Sequence, residues 1–201
     1  MTQPELILAS QSPRRKALLS QLGYQFTCLP ADIDESVLAD ESASDYVHRL
    51  AIAKAQTALA AAQEKQLSQR ELVVLGSDTT VVFDNHILGK PQSFEDFVSM
   101  MTMLSGERHQ VLTSIAAVSE TEVQAQVIVT DVWFKQLSSK EIGDYWQTGE
   151  PQDKAGGYGI QGIGGQFVSK LDGSFFAVVG LPLYETSLLL NKFGIKGYVS
   201  P

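Results

Sequence analysis

The chain predicts a mixed α/β fold. Apolar runs with strand character alternate along it with stripes of helical period. Serines stand where helices would open and glycines where they would close. Its 201 residues suffice for one domain with a sizeable core, which two small lobes could share, and residues 1–201 are read as that single unit. There is no fixed-period repeat and no low-complexity tail.

The elements follow in chain order. Leu6 to Ala9 reads as a short strand. Ser12 is a good N-cap and Pro13 suits the first helical position. That helix carries Ala17, Leu18, Leu19 and Leu22 and stops at Gly23. A second helix starts near Ser42 or Ser44, with Val47, Leu50, Ala51, Ala55, Ala58 and Leu59 on its apolar stripe. The polar stretch Gln63 to Arg70 is the best internal linker. Leu72 to Phe83 is the strongest strand, apolar on both alternating faces as in a strand covered on both sides. Asp84-Asn85 marks a hairpin turn. Ser93 caps a helix with Phe94, Phe97, Val98, Met101 and Leu104 on one face, ended by Gly106. Gln110 to Val118 and Val123 to Leu137 read as strands. Ser138 with Glu141 forms a capping box for the next helix. A glycine-rich segment covers Ala155 to Gly165. Phe175 to Val179 reads as a strand, and Pro182 to Lys192 as a last helix before Gly194.

Composition excludes several classes of function. The formal net charge is -8, from 23 acids against 15 bases. Phosphate neutralisation along a duplex needs a basic face, so nucleic acid is not an expected partner. A polybasic membrane contact is disfavoured for the same reason, and no apolar run approaches the roughly 18 residues of a span. The N-terminal MTQPELILAS has no basic region ahead of an apolar one, so no secretory signal is expected. Cys28, the one cysteine, excludes an internal disulfide. A cytoplasmic home is the simplest expectation.

Several residues stand where their chemistry is costly. Arg14 and Arg15 fall in a first helical turn, where cations oppose the helix dipole. Free amides at that end attract anions, and arginine binds phosphate through paired hydrogen bonds. A solvated corner or a salt bridge is the competing explanation. Asp78 interrupts the apolar run LGSDTTVVF. A buried carboxylate must be paired, hydrogen-bonded or on a metal; the bland alternative is a kink at Gly76-Ser77 with Asp78 on nearby backbone amides. Lys54 falls on the apolar stripe of the second helix, as a functional cation or a snorkelling side chain. Lys90, between Gly89 and Pro91, reads as a surface lysine. Asp32, Asp34 and Glu35 form a loop cluster that could hold Mg²⁺ or Mn²⁺, or simply be solvated. Asp131 interrupts an apolar run that an exposed strand edge would accommodate.

Gly157 to Gly162 matches G-x-G-x-x-G by letter, but the GIGGQFVSK stretch is too rich in glycine to open the helix a dinucleotide site needs. It reads instead as a loop of close backbone approach to a ligand. His48, His86 and His109 have no metal-ligand spacing. Two arginines, two lysines and several carboxylates are the parts of a phosphate-ester site, where catalysis is mostly positioning and charge stabilisation.

Longer motifs converge on one family. Ala9 to Arg15 (ASQSPRR), Leu50-Ala51 with Lys54-Ala55, Gly76 to Thr79 (GSDT), Gly89-Lys90-Pro91, Leu104-Ser105-Gly106, Asp153 to Gly156 (DKAG) and Gly159 to Gly162 (GIQG) resemble the Maf-like nucleotide pyrophosphatases, in order and across nearly the whole chain. The resemblance implies an inosine-triphosphate-pyrophosphatase-like fold: a curved mixed β-sheet with flanking helices, and two lobes around a deep cleft. It implies hydrolysis of a nucleoside triphosphate between the α- and β-phosphates, with a divalent metal (Mg, Mn or Co), and a homodimer. Asp78 matches the family's proton acceptor; a competing assignment puts it on the metal. Ser10, Arg14, Arg15, Lys54 and Lys90 match substrate-contacting positions, and Glu35 a metal-binding one.

Arg14, Thr79 and Gln161 match the specificity positions, and this combination resembles the branch acting on dTTP and UTP. A glutamine amide can pair with the N3–H and a carbonyl of uracil or thymine. The 7-methyl-GTP branch carries glutamate at the Gln161 position, and that substrate is the alternative within the enzymes. A non-catalytic nucleotide-binding regulator of cell division is the alternative outside them.

Overall fold

The computed structural model describes residues 3–199; Met1, Thr2, Ser200 and Pro201, the first two of which open the stretch searched for a secretory signal, lie outside that description. Among the described residues seven strands and six helices follow one another in mixed order. They are β1 (Glu5–Leu8), α1 (Pro13–Gln21), β2 (Phe26–Cys28), α2 (Ala43–Glu64), β3 (Leu72–Phe83), β4 (His86–Leu88), α3 (Phe94–Leu104), β5 (Arg108–Val118), β6 (Val123–Phe134), α4 (Ser139–Gln147), β7 (Val168–Asp172), α5 (Phe175–Val179) and α6 (Leu183–Lys192), with three 3₁₀ turns between Glu150 and Phe167. The strands form one mixed sheet in the order β2-β1-β3-β5-β6-β7, with β4 also on β3. β1 pairs in parallel with β2 and β3, whereas β4 on β3 and β7 on β6 are antiparallel. Among the described residues no helix is long and apolar enough to cross a membrane.

The chain divides into two compact units. The first comprises residues 1–78, 113–127 and 180–201, and the second residues 79–112 and 128–179. In the first, α2 lays Ala55, Ala58, Leu59 and Ala62 against Ile7, Ala9, Leu72, Val74 and Val118. In the second, Phe97, Met101 and Leu104 of α3 pack with Phe134, Tyr145, Tyr158 and Phe167. Burying such side chains stabilises each core by roughly 1.5–3 kcal/mol per large residue.

Local signals hold at the helix ends. Ser12, Ser42, Ser93 and Ser138 each accept a hydrogen bond from the backbone N–H three residues on, and Ser138 with Glu141 completes the capping box. Asp84 and Asn85 have φ of 46° and 63°, the left-handed pair a tight hairpin requires.

Three expectations need correction. Phe175–Val179 is a short helix rather than a strand. Its valines and aromatics favour a strand by propensity, but Ser174 Oγ accepts the Ala177 N–H at 3.1 Å and the Val178 N–H reaches the Ser174 carbonyl at 3.2 Å. Gln63 to Arg70 is not a linker: α2 runs on through Glu64, and both flanks lie in the first unit. Asp131 is not on an edge, because β7 covers it at Asp172; Arg108 at 3.3 Å and the Gln110 amide at 3.1 Å compensate its charge.

Candidate active site

The first unit gathers charge around Asp78. On β3, Gly76 and Asp78 are two residues apart and so share a strand face. A Cβ on Gly76 would lie 2.1 Å from the Ala51 carbonyl oxygen and 3.0 Å from Ala55, so glycine is what lets α2 lie this close to the strand. Ala51 and Ala55 flank Lys54, and the close approach delivers its ammonium to 2.7 Å from Asp78 Oδ1 and 2.6 Å from Glu35 Oε1. The Lys54 side chain is only 12% exposed, which rules out snorkelling.

Asp78 itself is 7% exposed, and its hydrogen bond runs to Lys54 rather than to local amides. Burial raises its carboxyl above the usual aspartate range, against the opposing pull of Lys54 and Arg15; Glu35 adds a smaller push upward. A carboxylate so tuned is a better proton acceptor near neutral pH than an ordinary one.

Arginine reaches the same cluster from α1. Ser12 accepts the Arg15 N–H at 3.4 Å, and Ser12 N–H donates to Ser10 Oγ at 3.2 Å, which shapes the loop before the helix. Arg15 Nε donates to the Gly180 carbonyl at 2.8 Å, and Nη1 lies 3.5 Å from Ser10 Oγ. Ser77 Oγ donates to the same Gly180 carbonyl at 3.1 Å, so one oxygen ties Arg15 to the strand residue beside Asp78. Burial pulls the Arg15 pKa down, partly offset by Asp78, with Arg14 adding to the fall. A guanidinium stays charged in a protein regardless.

Glu35 is held by α2. Tyr46 donates its hydroxyl to the Glu35 carbonyl at 2.9 Å, and Arg49 donates to the Ser36 carbonyl at 3.0 Å. Arg49 also grips Glu41 through two bonds of 2.6 and 2.7 Å, and that contact holds the Glu41 carboxyl down to about 2. Asp34 is used in a local turn, accepting from the Ser36 amide and hydroxyl at 2.9 and 2.7 Å, and Asp32 is exposed. Of the three loop acids, Glu35 is therefore the one that reaches Lys54.

The second unit holds the other sequence-derived residues. Thr79 follows Asp78 on β3. Lys90 is exposed, and the preceding Gly89 carbonyl accepts the Gly156 N–H at 3.0 Å, so the GKP and DKAGG segments are joined. Gly156 and Gly157 both have positive φ, of 67° and 70°, and a Cβ on Gly156 would meet Val81 at 2.7 Å. Gln161 is exposed in a turn closed by Gly162 N–H to the Gly159 carbonyl at 3.2 Å. As expected, no helix follows these glycines; 3₁₀ turns do.

Oxygen donors of the kind a hard divalent cation takes are present as carboxylates. Among the described residues no group of three or more His, Cys, Asp or Glu converges. Glu35 and Asp78 nonetheless aim oxygen atoms at one positive charge, the Lys54 ammonium. A Mg²⁺-type ion is commonly held by one or two carboxylates, with water and substrate phosphate as its other ligands.

The supporting residues Tyr46, Arg49, Ser77 and Gly180 escaped sequence reasoning. Only the three-residue spacing of Tyr46 and Arg49 on α2 could have paired two of them.

A family model described as Maf-like protein matches residues 5–193. The chain is 56% identical over 188 residues to a dTTP/UTP pyrophosphatase of Vibrio parahaemolyticus, covering 94% of this chain and 96% of that one. It is 57% identical over 201 residues to a dTTP/UTP pyrophosphatase of Colwellia psychrerythraea, covering 98% and 92%. A dTTP/UTP pyrophosphatase of Vibrio cholerae is 50% identical over 193 residues, covering 96% and 100%. The solved Ham1 protein of Staphylococcus aureus overlaps 82% of this chain with a TM-score of 0.41 and 14% identity.

Proposed function

Since the chain belongs to the Maf-like protein family, we propose that it hydrolyses dTTP and UTP to the nucleoside monophosphate and pyrophosphate. One observation carries the chemistry: a buried carboxylate, Asp78, with its pKa raised and the cations Lys54 and Arg15 around it. The relatives named dTTP/UTP pyrophosphatase support the substrate.

In the reaction, Asp78 takes a proton from water as the water oxygen bonds to the α-phosphorus. The bond from that phosphorus to the bridging oxygen breaks, and pyrophosphate leaves. Arg14 and Arg15 at the start of α1 bind phosphate oxygens, at the positive end of that helix's dipole. Ser10 donates to the same anion. Lys54 keeps Asp78 ionised before turnover and can follow the developing negative charge. Glu35 would hold a divalent metal, Mg²⁺, Mn²⁺ or Co²⁺, which when bound would polarise the phosphoryl oxygens. Lys90 contacts the phosphates or sugar, and Arg14, Thr79 and Gln161 set base preference, with the Gln161 amide pairing to the base edge.

The same proposal has the enzyme working in the cytoplasm as a homodimer that clears non-standard or modified pyrimidine nucleotides. Its net charge of -8 supports leaving nucleic acid and anionic membranes out of the partner set. Pyrophosphate release across a panel of nucleoside triphosphates, with Mg²⁺ or Mn²⁺, tests it. Turnover of dTTP and UTP, lost in Asp78→Ala, is the expected result. Turnover of 7-methyl-GTP alone would overturn the base assignment, and nucleotide binding without turnover would overturn the enzyme.

A further inference from the structure

The turn that carries Gln161 is built around a carboxylate that the proposed mechanism does not use. Glu150 lies in a 3₁₀ turn after α4, eleven residues before Gln161. Its Oε1 accepts the Tyr145 hydroxyl at 2.8 Å and the Gly164 N–H at 3.0 Å, and its Oε2 accepts the Ile163 N–H at 2.9 Å. The Tyr145 oxygen in turn accepts the Gly159 N–H at 3.1 Å. Both ends of the Gly159–Gly164 segment are thus tied to one Glu-Tyr pair. The fit is close: a Cβ on Gly162 would come within 2.2 Å of Glu150 Oε2.

Glu150 is anchored as well. Lys154 Nζ donates to its backbone carbonyl at 2.7 Å and pairs with Asp153 at 2.5 Å. Tyr145 is 2% exposed, locked by an edge contact to Phe167 with ring centroids 5.1 Å apart. Burial alone would push the Glu150 carboxyl up, but the Gly164 and Ile163 amides, the Tyr145 hydroxyl and the Lys154 charge outweigh it and hold it below the ordinary range. It remains an acceptor for all three donors at neutral pH.

A turn carrying three glycines in six residues has little conformational preference of its own. A short flexible segment reads a base edge only if something fixes its backbone, since misplacement of a recognition group by about 1 Å is costly. We propose that Glu150, with Tyr145, is the positioning residue for nucleobase selection: it holds the Gly159–Gly164 turn so that the Gln161 amide is presented in one orientation. This rests on the base-reading role proposed above for Gln161.

The test compares kcat and KM for dTTP and dGTP in the full-length enzyme and in Glu150→Gln, Tyr145→Phe and Gln161→Ala. Glu150→Gln keeps the volume but leaves one oxygen for donors that met two. The preference for dTTP over dGTP should fall at least tenfold, through a higher KM for dTTP, with kcat within about threefold of the parent. Tyr145→Phe should move the ratio the same way by a smaller factor, and it decides the matter if Glu150→Gln does not fold. Unchanged preference in the folded variants, while Gln161→Ala loses it, overturns the role of Glu150 and leaves that of Gln161 standing. Unchanged preference in Gln161→Ala overturns both. An equal loss of kcat on every nucleotide would mark Glu150 as merely structural and overturn the inference too.

Discussion

Gly76 and Ala51 meet where no side-chain atom fits: a Cβ at Gly76 would stand 2.1 Å from the Ala51 carbonyl oxygen. That contact sets how closely α2 lies on β3, and so whether Lys54 reaches Asp78. Gly76→Ala must push backbone rather than a flexible side chain. It should destabilise the protein by about 1–3 kcal/mol and lower kcat by more than tenfold. Urea unfolding and pyrophosphate release measure the two effects. Wild-type turnover in the variant would show that the Lys54–Asp78 spacing does not matter.

Removing Lys54 leaves the buried Asp78 without its nearest countercharge. Lys54→Met should cost about 3–5 kcal/mol, as for other broken buried pairs. It should also move the acid limb of the kcat profile to higher pH. The sign follows from the causes: burial raises the Asp78 pKa and Lys54 lowers it, so loss of Lys54 raises it further. Activity requires the carboxylate and is lost as pH falls through that pKa. A pH–rate profile in both proteins decides the point, and an unmoved limb would exclude Asp78 as the titrating group.

The loop that carries Glu35 depends on Arg49, which bonds to Glu41 and to the Ser36 carbonyl. Arg49→Ala should raise the Mn²⁺ concentration needed for half-maximal activity by about tenfold, the scale of other residues that position metal ligands. Direct Mn²⁺ titration by electron paramagnetic resonance should show the same weakening without substrate. Unaltered Mn²⁺ affinity would separate the clamp from the metal.

His109 gives the fold an acid weakness. It is 1% exposed, with Nε2 2.8 Å from the Tyr158 hydroxyl and Nδ1 buried without a partner among the described residues. Burial lowers its pKa to about 4, against a weaker upward pull from Asp131. The unfolded chain therefore binds a proton near pH 6.5 that the folded protein refuses until about pH 4. Stability from this group is whole above pH 6.5 and falls by up to about 3 kcal/mol across that window. Urea midpoints at pH 7 and pH 4.5 should differ less in His109→Phe than in the parent. An equal difference in the two proteins would assign the acid sensitivity to other groups.

Much of the fold was legible because its signals are local. A serine cap, a left-handed Asp-Asn turn and the run from Leu72 to Phe83 act within a few residues. β2 and β7 were missed, since three and five residues with mixed burial show no clear period. Phe175–Val179 was misread because a cap at Ser174 outweighs the strand propensity of the residues that follow.

The site divides along the same line. That Asp78 had to be compensated followed from chemistry alone, because an aspartate inside an apolar strand cannot remain an unpaired charge. Which groups compensate it did not follow. Lys54 stands 24 residues away in the chain and meets Asp78 only when α2 closes on β3, with Glu35 of a separate loop on the same ammonium. Residue types and short-range spacing are written along the chain and act before it folds. The pairing of charges, the burial that tunes Asp78 and the Glu150 brace under Gln161 are decided by packing between segments distant in sequence, where the cost of desolvation selects the partners.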